Sequence, residues 1–456
     1  MEPLEGIEKN KGKTPFIVLL IPFAILLVAG AMLLKLYERE RPQLSILNDL
    51  SKVGMQEEVQ MVLTDAKSGL RRVEVYMLQG NKRVKVHENE FAGMGFMGNS
   101  GPERVEESFV LDGRSLKFED GEATLEVDVR DYSWWGFMQG NLAVLTYPVL
   151  LDTNPPRVAI IDYPRYIIPG GAGIVTYRLD EPVAEHGVRV NGYYHPGFPL
   201  PQHGEDVYGA MLAVVYDTET LDVVQVEAKD QAGNLGVKPF AMILRRAKIN
   251  TDRINVSDNF LNLKMPEFAQ HYPDLVTGDL LAQYLVVNNT IRQENNKKIR
   301  EACSKSNPER LWSGRFKRME RSSRRAGFAE YRTYYYNGKE VDKQVHLGID
   351  LASTQHASVQ AANRGQVVFA DYLGIYGNVI IIDHGQGVFT LYSHLSRIDV
   401  AVGDMVEQDA GIGLSGASGM AGGDHLHFSV LINGIFVNPL EWWDAQWLKI
   451  NIVNFL

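Results

Sequence analysis

The chain has a single cysteine, Cys303, in 456 residues. No intrachain disulfide can form, and no site built from several thiolates is available. One thiol does not identify a compartment, because an oxidising one permits disulfides without requiring them. Positive charge is also in short supply. Lys and Arg total 46 against 56 Asp and Glu, a net charge of −10, so a general nucleic-acid-binding role has no electrostatic footing. Long hydrophobic runs are missing, with one exception. Thr14 to Leu34 carries no charge over 21 positions, about 31 Å of helix and so the thickness of a bilayer core. Pro15 and Pro22 are tolerable in a membrane helix. A cleaved signal peptide fits less well: the apolar stretch is too long, and Ala31-Met32-Leu33-Leu34-Lys35 offers no small-x-small cleavage site. The reading is a tail at 1–13 and a single anchor at 14–34. Lys9, Lys11 and Lys13 precede the span and Lys35, Arg39 and Arg41 follow it, so the positive-inside count is a draw.

What is present is an ordinary globular balance, 45% hydrophobic and 22% charged, over a length that fits about three domains. From 43 to 246 the pattern is short alternating strands, such as Val73–Met77, Leu125–Val129 and Val224–Ala228. Ala123–Asp131 parallels Asp222–Asp230 as an internal repeat. The second copy runs on into Gln231-Ala232-Gly233-Asn234, and similar tails close immunoglobulin-like modules. Two β-sandwiches of that kind are expected, at 43–153 and 156–246, joined at Thr153-Asn154-Pro155-Pro156 and serving as spacers, with binding of a wall polymer as the functional alternative. Around Asp279 the period becomes helical. Leu280, Leu281, Tyr284, Leu285, Val287, Ile291 and Ile299 fit one face, with Asp279 as N-cap, in a helical connector at 254–309. Seven basic residues between Arg310 and Arg325 face Glu320 alone. They read as a solvated surface, with steering of an anionic polymer as the functional alternative. Asn337-Gly338 reads as a tight hairpin turn. The rest, 310–456, is strand after strand, an all-β domain.

Within it, three alternating stretches each place imidazole on one side. Val345–Leu351 carries His346, Gly348 and Asp350 opposite four apolar residues; Thr390–Leu395 carries His394; Asp424–Val430 carries His425 and His427 opposite Leu426, Phe428 and Val430. His346, Asp350 and one of His425 and His427 would supply two nitrogens and one oxygen. That set suits zinc with a fourth position for water, rather than magnesium or calcium, which take oxygen shells. Such a water is acidified toward neutrality, and the remaining imidazoles would handle protons and developing charge. A His-Glu-x-x-His helix is absent. His384, in Asp383-His384-Gly385, reads as a structural hydrogen-bonder at a turn; His186, His195, His203 and His356 have no partner pattern. Tyr335 and Tyr392 are candidate oxyanion donors.

At these residues the sequence resembles the lysostaphin-like, LytM-type zinc endopeptidases that cut peptidoglycan peptides. The resemblance rests on His346-x-x-x-Asp350, Tyr376-Gly377-Asn378, Tyr392-Ser393-His394-Leu395, Gly416-x-x-Gly419, His425-Leu426-His427-Phe428 and Val437-Asn438-Pro439, and covers about 325–445. It implies that His346, Asp350 and His427 bind Zn2+, and that His394 and His425 act on the water and the tetrahedral oxyanion. Some relatives have lost zinc ligands and act as regulators; all five positions are filled here.

The expectation is therefore a mainly β chain: an N-terminal transmembrane helix, two immunoglobulin-like β-sandwich domains, a helical connector, and a C-terminal all-β LytM-type peptidase domain. It would be an anchored envelope enzyme of the inner (cytoplasmic) membrane, its bulk in the periplasm or outside, cutting peptide bonds in peptidoglycan stems or cross-links. Envelope proteins are possible partners. Two rivals are a scaffold that activates another wall hydrolase and a zinc protease of envelope proteins. The helix at about 279–304 precedes the site in sequence, and the hypothesis is that it lies across the site and masks it.

Overall fold

The computed structural model describes residues 22–31, 37–94 and 100–456. Residues 22–31 are helical and almost wholly exposed. The expected tail at 1–13 and the remaining positions of the 14–34 span lie outside the described residues. Among the described residues, no helix is long and apolar enough to cross a membrane.

The chain divides into two compact units: Met1–Pro155 with Gln231–Asn234, and Pro156–Asp230 with Leu235–Leu456. In the first unit, a three-stranded sheet (Gln43–Ile46, Gln56–Thr64, Arg104–Asp112) accompanies a five-stranded one. The five-stranded sheet has Gly121–Asp131 at its centre, between Leu142–Leu151 and Leu70–Gln79. The alternation read in the sequence explains its core. Val73, Val75 and Met77 face Leu125, Val127 and Val129, all fully buried, while the residues between them stay partly exposed.

The second unit begins with two four-stranded sheets. Val224–Lys229, the strand of the second repeat copy, pairs with Glu185–Val190 and Leu235–Pro239. From residue 250 on, the elements are labelled in order. β1 (Asn250–Val256) leads into α1 (Asp258–His271), α2 (Leu280–Val286) and α3 (Arg292–Ala302). Asp279 caps α2 as expected, accepting from the Ala282 amide at 2.8 Å. Helix α1 falls within the helical connector expected at 254–309, ahead of the helical period read from Asp279 on. Pro266 inside it reads as a breaker, but Leu261, Met265 and Phe268 recur on one face and are buried, and Ser257 caps its start. Between α2 and α3, Val287–Ile291 forms a π-turn. Asp342 Oδ2 holds it, accepting from Asn288 Nδ2 at 2.7 Å and Asn289 Nδ2 at 3.0 Å.

The C-terminal domain contains β2 (Ser323–Ala326), the hairpin β3 (Glu330–Tyr336) and β4 (Lys339–His346), β5 (Ile349–Ala352), β6 (Gly365–Tyr372), β7 (Asn378–Asp383), β8 (Val388–Leu395), β9 (Met405–Val406), β10 (Leu426–Ile432) and β11 (Ile435–Val437). The main sheet has the order β2-β5-β10-β8-β7-β6-β9, with β11 pairing β10. The hairpin belongs to a separate sheet in which β3 runs parallel to β1. Its turn is Asn337-Gly338, both at positive φ (49° and 75°), as the sequence indicated. The domain's α-helices are Pro439–Trp443 and Ala445–Asn451.

One expectation is corrected here. Val345–Leu351 is not one strand: it breaks at Leu347-Gly348, so His346 ends the hairpin while Asp350 sits in the main sheet. The reason is steric. A Cβ on Gly348 would lie 2.5 Å from His427 Cε1 and Nε2 and 2.6 Å from Ser429 Oγ, so the backbone can turn against the His427 ring only with glycine there.

Candidate metal centre

Register brings the candidate residues together. β5 pairs antiparallel with β10 so that Asp350 stands opposite His427, and β8 pairs with β10 so that Ser393 does. His346 arrives from the end of β4. His346 Nε2, His427 Nδ1 and Asp350 Oδ1 form a triangle with 2.9 Å sides, all three residues buried.

The outward-facing atoms fix what the triangle is made of. His346 Nδ1 donates to the Gly327 carbonyl at 2.8 Å, which leaves Nε2 as a bare lone pair. Ser429 Oγ donates to the Leu347 carbonyl at 2.9 Å, so it accepts from His427 Nε2 at 3.1 Å, which leaves Nδ1 bare. With both imidazoles neutral, three lone pairs converge on one point. Burial pushes His427 down to about 4, toward the neutral form that ligates. For Asp350, burial alone would raise the carboxyl; His346, His425 and His427 outweigh it and hold it well below the usual carboxylate range. Two imidazoles and one carboxylate fit a cation with nitrogen and oxygen preferences, and zinc best. A second group that could hold a metal, Glu38, Asp65 and Asp131, is all oxygen and lies in the first unit. Asn141, Ser68 and Ser133 already donate to its carboxylates.

His394 and His425 stand beside the triangle, their rings 4.9 Å apart. His425 Nδ1 donates to the Gly423 carbonyl at 2.8 Å, and its Nε2 lies 3.6 Å from Asp350 Oδ1. His394 Nδ1 donates to the Ser418 carbonyl at 2.9 Å. The His394 backbone is left-handed, φ 61°, a strained conformation for a residue with a Cβ. Burial keeps His394 well below its ordinary value, reinforced by His425 and His427. Burial also opposes charge on His425, but Asp350 overcomes this and raises it.

Residues 344–439 match the model of Peptidase family M23. The C-terminal domain is an M23, LytM-type domain. Over 98 residues it is 42% identical to the DD-carboxypeptidase/endopeptidase Mpg of Neisseria meningitidis, covering 22% of this chain and 23% of that one. It is 36% identical over 96 residues to the peptidoglycan DD-endopeptidase ShyC of Vibrio cholerae (21% and 22% of the two chains). It is 35% identical over 95 residues to the murein hydrolase activator EnvC of Escherichia coli (21% and 23%). The matched region is thus less than a quarter of each relative's length.

All five site residues read from the sequence of this M23 domain meet in one place. Two other expectations fail. Tyr392 is buried away from the site, its hydroxyl accepting from the Ala362 amide at 2.7 Å, and Tyr335 packs under Arg253. Neither is an oxyanion donor. His384 is the buried hydrogen-bonder expected, joined to the Arg364 carbonyl and Thr390 Oγ1.

The sequence reading missed Arg332. It comes from β3, and its Nη2 reaches Asp350 Oδ2 at 3.3 Å and Glu330 Oε2 at 3.2 Å, holding the carboxylate edge opposite the triangle. Nothing in the local pattern of Tyr331-Arg332-Thr333 separates it from a solvated strand residue. Ser429 did carry a signal: it continues the polar face of His425 and His427. The connector was also seen only in part. Ile254, Val256, Phe260, Tyr284 and Arg292 wall a cleft of about 360 Å³ whose floor is the five site residues. Glu267 Oε1 accepts from the Gly419 amide at 2.6 Å, and Lys264 Nζ donates to the Ala417 carbonyl.

Proposed function

We propose that this chain is a membrane-anchored zinc metalloendopeptidase that hydrolyses peptide bonds in peptidoglycan stems or cross-links. The observation that carries the reading is the triangle of two nitrogen atoms and one oxygen atom at His346, His427 and Asp350, with two further imidazoles beside it. Zinc held there would supply a Lewis acid and an acidified water. The chain's own groups do the rest. His394, fixed through Nδ1 on Ser418, presents Nε2 to accept or return a proton. His425, fixed through Nδ1 on Gly423, presents Nε2 toward developing negative charge. The apolar walls of the cleft, Ile254, Val256, Phe260 and Met420 among them, exclude bulk water and strengthen both interactions. Residues 14–34 would anchor the chain in the inner (cytoplasmic) membrane, with its bulk in the periplasm or outside, where its substrate is. The two sandwiches, at 43–153 and 156–246, would be immunoglobulin-like spacers.

The test is incubation of the chain with purified peptidoglycan, with and without a chelator, and mass spectrometry of the released fragments, with His394→Ala as control. New peptide termini that are chelator-sensitive and absent in the variant support the reading. A second reading, an activator of another wall hydrolase, is favoured by one observation: the connector walls the cleft and bonds to the loop that positions His394. Intact wall with stoichiometric zinc would point to a covered site, and intact wall without zinc to the activator.

A further inference from the structure

Among the described residues, three of the seven cations of the 310–325 run have a side-chain partner. Arg310 lies 5.5 Å over the Trp312 ring, Lys317 pairs with Asp409, and Arg318 bonds to Ser322. Arg324 and Arg325 do not. They line a groove of about 760 Å³ together with Arg246 and Lys248, which approach from the segment that enters β1. All four side chains are exposed, and among the described residues none of them forms an ion pair. The one acid in the groove wall, Glu330, is engaged by Arg332 at 3.2 Å. Four uncompensated cations therefore meet in one concavity of a chain whose net charge is −10, a local field that selects anions.

The groove is built on the same backbone as the metal centre. Ala326 pairs with Asp350 across β2 and β5. Gly327, in the groove floor, supplies the carbonyl that fixes His346, and the Ala329 amide donates to the His346 carbonyl at 2.8 Å. A ligand seated against 324–329 is one strand away from the three converging ligand atoms.

The geometry points to an anion-binding subsite: Arg246, Lys248, Arg324 and Arg325 take the free carboxylates of the peptide whose scissile bond lies at the metal centre. This rests on the endopeptidase reading above. The carboxylates of a substrate peptide are favoured over a phosphate polymer because the cations are confined to two short segments, 246–248 and 324–325, flanking one groove. A polymer binder needs a cationic track that continues along the surface, and a chain this acidic repels a polyanion elsewhere.

The test separates binding from turnover. The full chain is held in excess chelator, and a purified peptidoglycan stem tetrapeptide is titrated against it with its carboxylates free or amidated. The free form is expected to bind about tenfold tighter, as four exposed charge contacts of modest individual strength allow. That preference should disappear in the double variants Arg324→Gln/Arg325→Gln and Arg246→Gln/Lys248→Gln, and shrink with added salt in the wild type. Equal binding of both forms by the wild type, or a preference retained in both variants, overturns the proposal. Displacement of the peptide by inorganic polyphosphate at far lower concentration than the peptide itself overturns it in favour of a polymer site. Turnover by the zinc-loaded chain is read separately: no cleavage with the binding preference intact rejects the hydrolase and keeps the groove.

Discussion

The carbonyl oxygen of Ser418 accepts the Nδ1–H of His394 at 2.9 Å, and that single bond ties two of the chain's glycine motifs to one imidazole. Ser418 Oγ donates to the Leu395 carbonyl at 2.7 Å and accepts from the Asn378 amide at 3.0 Å, so the loop is stitched to the strand end on both sides of His394. The loop approaches because Gly377 and Gly419 touch backbone to backbone: a Cβ on Gly419 would lie 2.3 Å from the Gly377 nitrogen, and both residues have positive φ.

Gly419→Ala should therefore displace Ser418 and release His394 from its strained backbone. A left-handed alanine alone costs about 1–3 kcal/mol, before the steric overlap is counted. Turnover of peptidoglycan should fall at least about tenfold, while circular dichroism and zinc content stay those of the wild type, because none of the three ligand atoms is touched. A variant with full activity would show that the Ser418 bond does not set the His394 position.

Arg332 holds the far oxygen of Asp350, the edge that faces away from His346 and His427. Removing groups that orient a metal ligand typically costs about 10–100-fold in metal affinity. Arg332→Gln should lower zinc affinity by that order in a competition titration against a chelating indicator. Unchanged affinity would reduce Arg332 to a packing residue.

These two cases mark where the sequence was informative. The five site residues were legible because strands alternate strictly: His394, and His425 with His427, had to share the polar faces of their strands, and the motif spacing supplied the rest. The break at Gly348 was not legible, because alternation continued across it and the close approach of His427 and Ser429 that requires a glycine there joins residues far apart in sequence. Arg332 was not legible either, since a half-buried arginine and a solvated one look alike until the partner carboxylate is placed. Helix α1 was anticipated only as part of the connector; the local penalty of its Pro266 is offset by the burial of Leu261, Met265 and Phe268. The span at 14–34 rests on composition alone.

The connector bears on the same loop from outside. Glu267 and Lys264 place two hydrogen bonds on Gly419 and Ala417, on either side of Ser418, while α2 and α3 contribute Tyr284 and Arg292 to the cleft wall. If the connector restricts entry, loosening these bonds should open the cleft. Lys264→Ala/Glu267→Ala removes about 1 kcal/mol or more per bond and should raise turnover several-fold with only a small fall in thermal midpoint. Equal or lower turnover would argue that α1 supports the loop rather than covering the site.

Acid and alkaline limits of stability are set by different buried groups in the second unit. Burial pushes His384 and His195 down to about 4. The folded chain keeps them neutral while the unfolded chain protonates them below about 6.5. Between about 6.5 and about 4 the unfolded state binds more protons, so stability falls as pH falls. Glu441 acts in the opposite sense. Burial raises it to about 8, against the opposing hydrogen bond from the Ala172 amide, so the folded carboxyl keeps a proton that the unfolded one has lost. Its contribution declines as pH rises toward about 8 and is absent above that. Of these three groups, only Glu441 still titrates in the folded state above about pH 6.5. The thermal midpoint should then rise with pH from about 4 toward about 6.5 and decline as pH approaches about 8. Glu441→Gln, which keeps a neutral acceptor for the Ala172 amide, should flatten the alkaline decline and leave the acid one in place. A decline of the same size in the variant would assign it to another group.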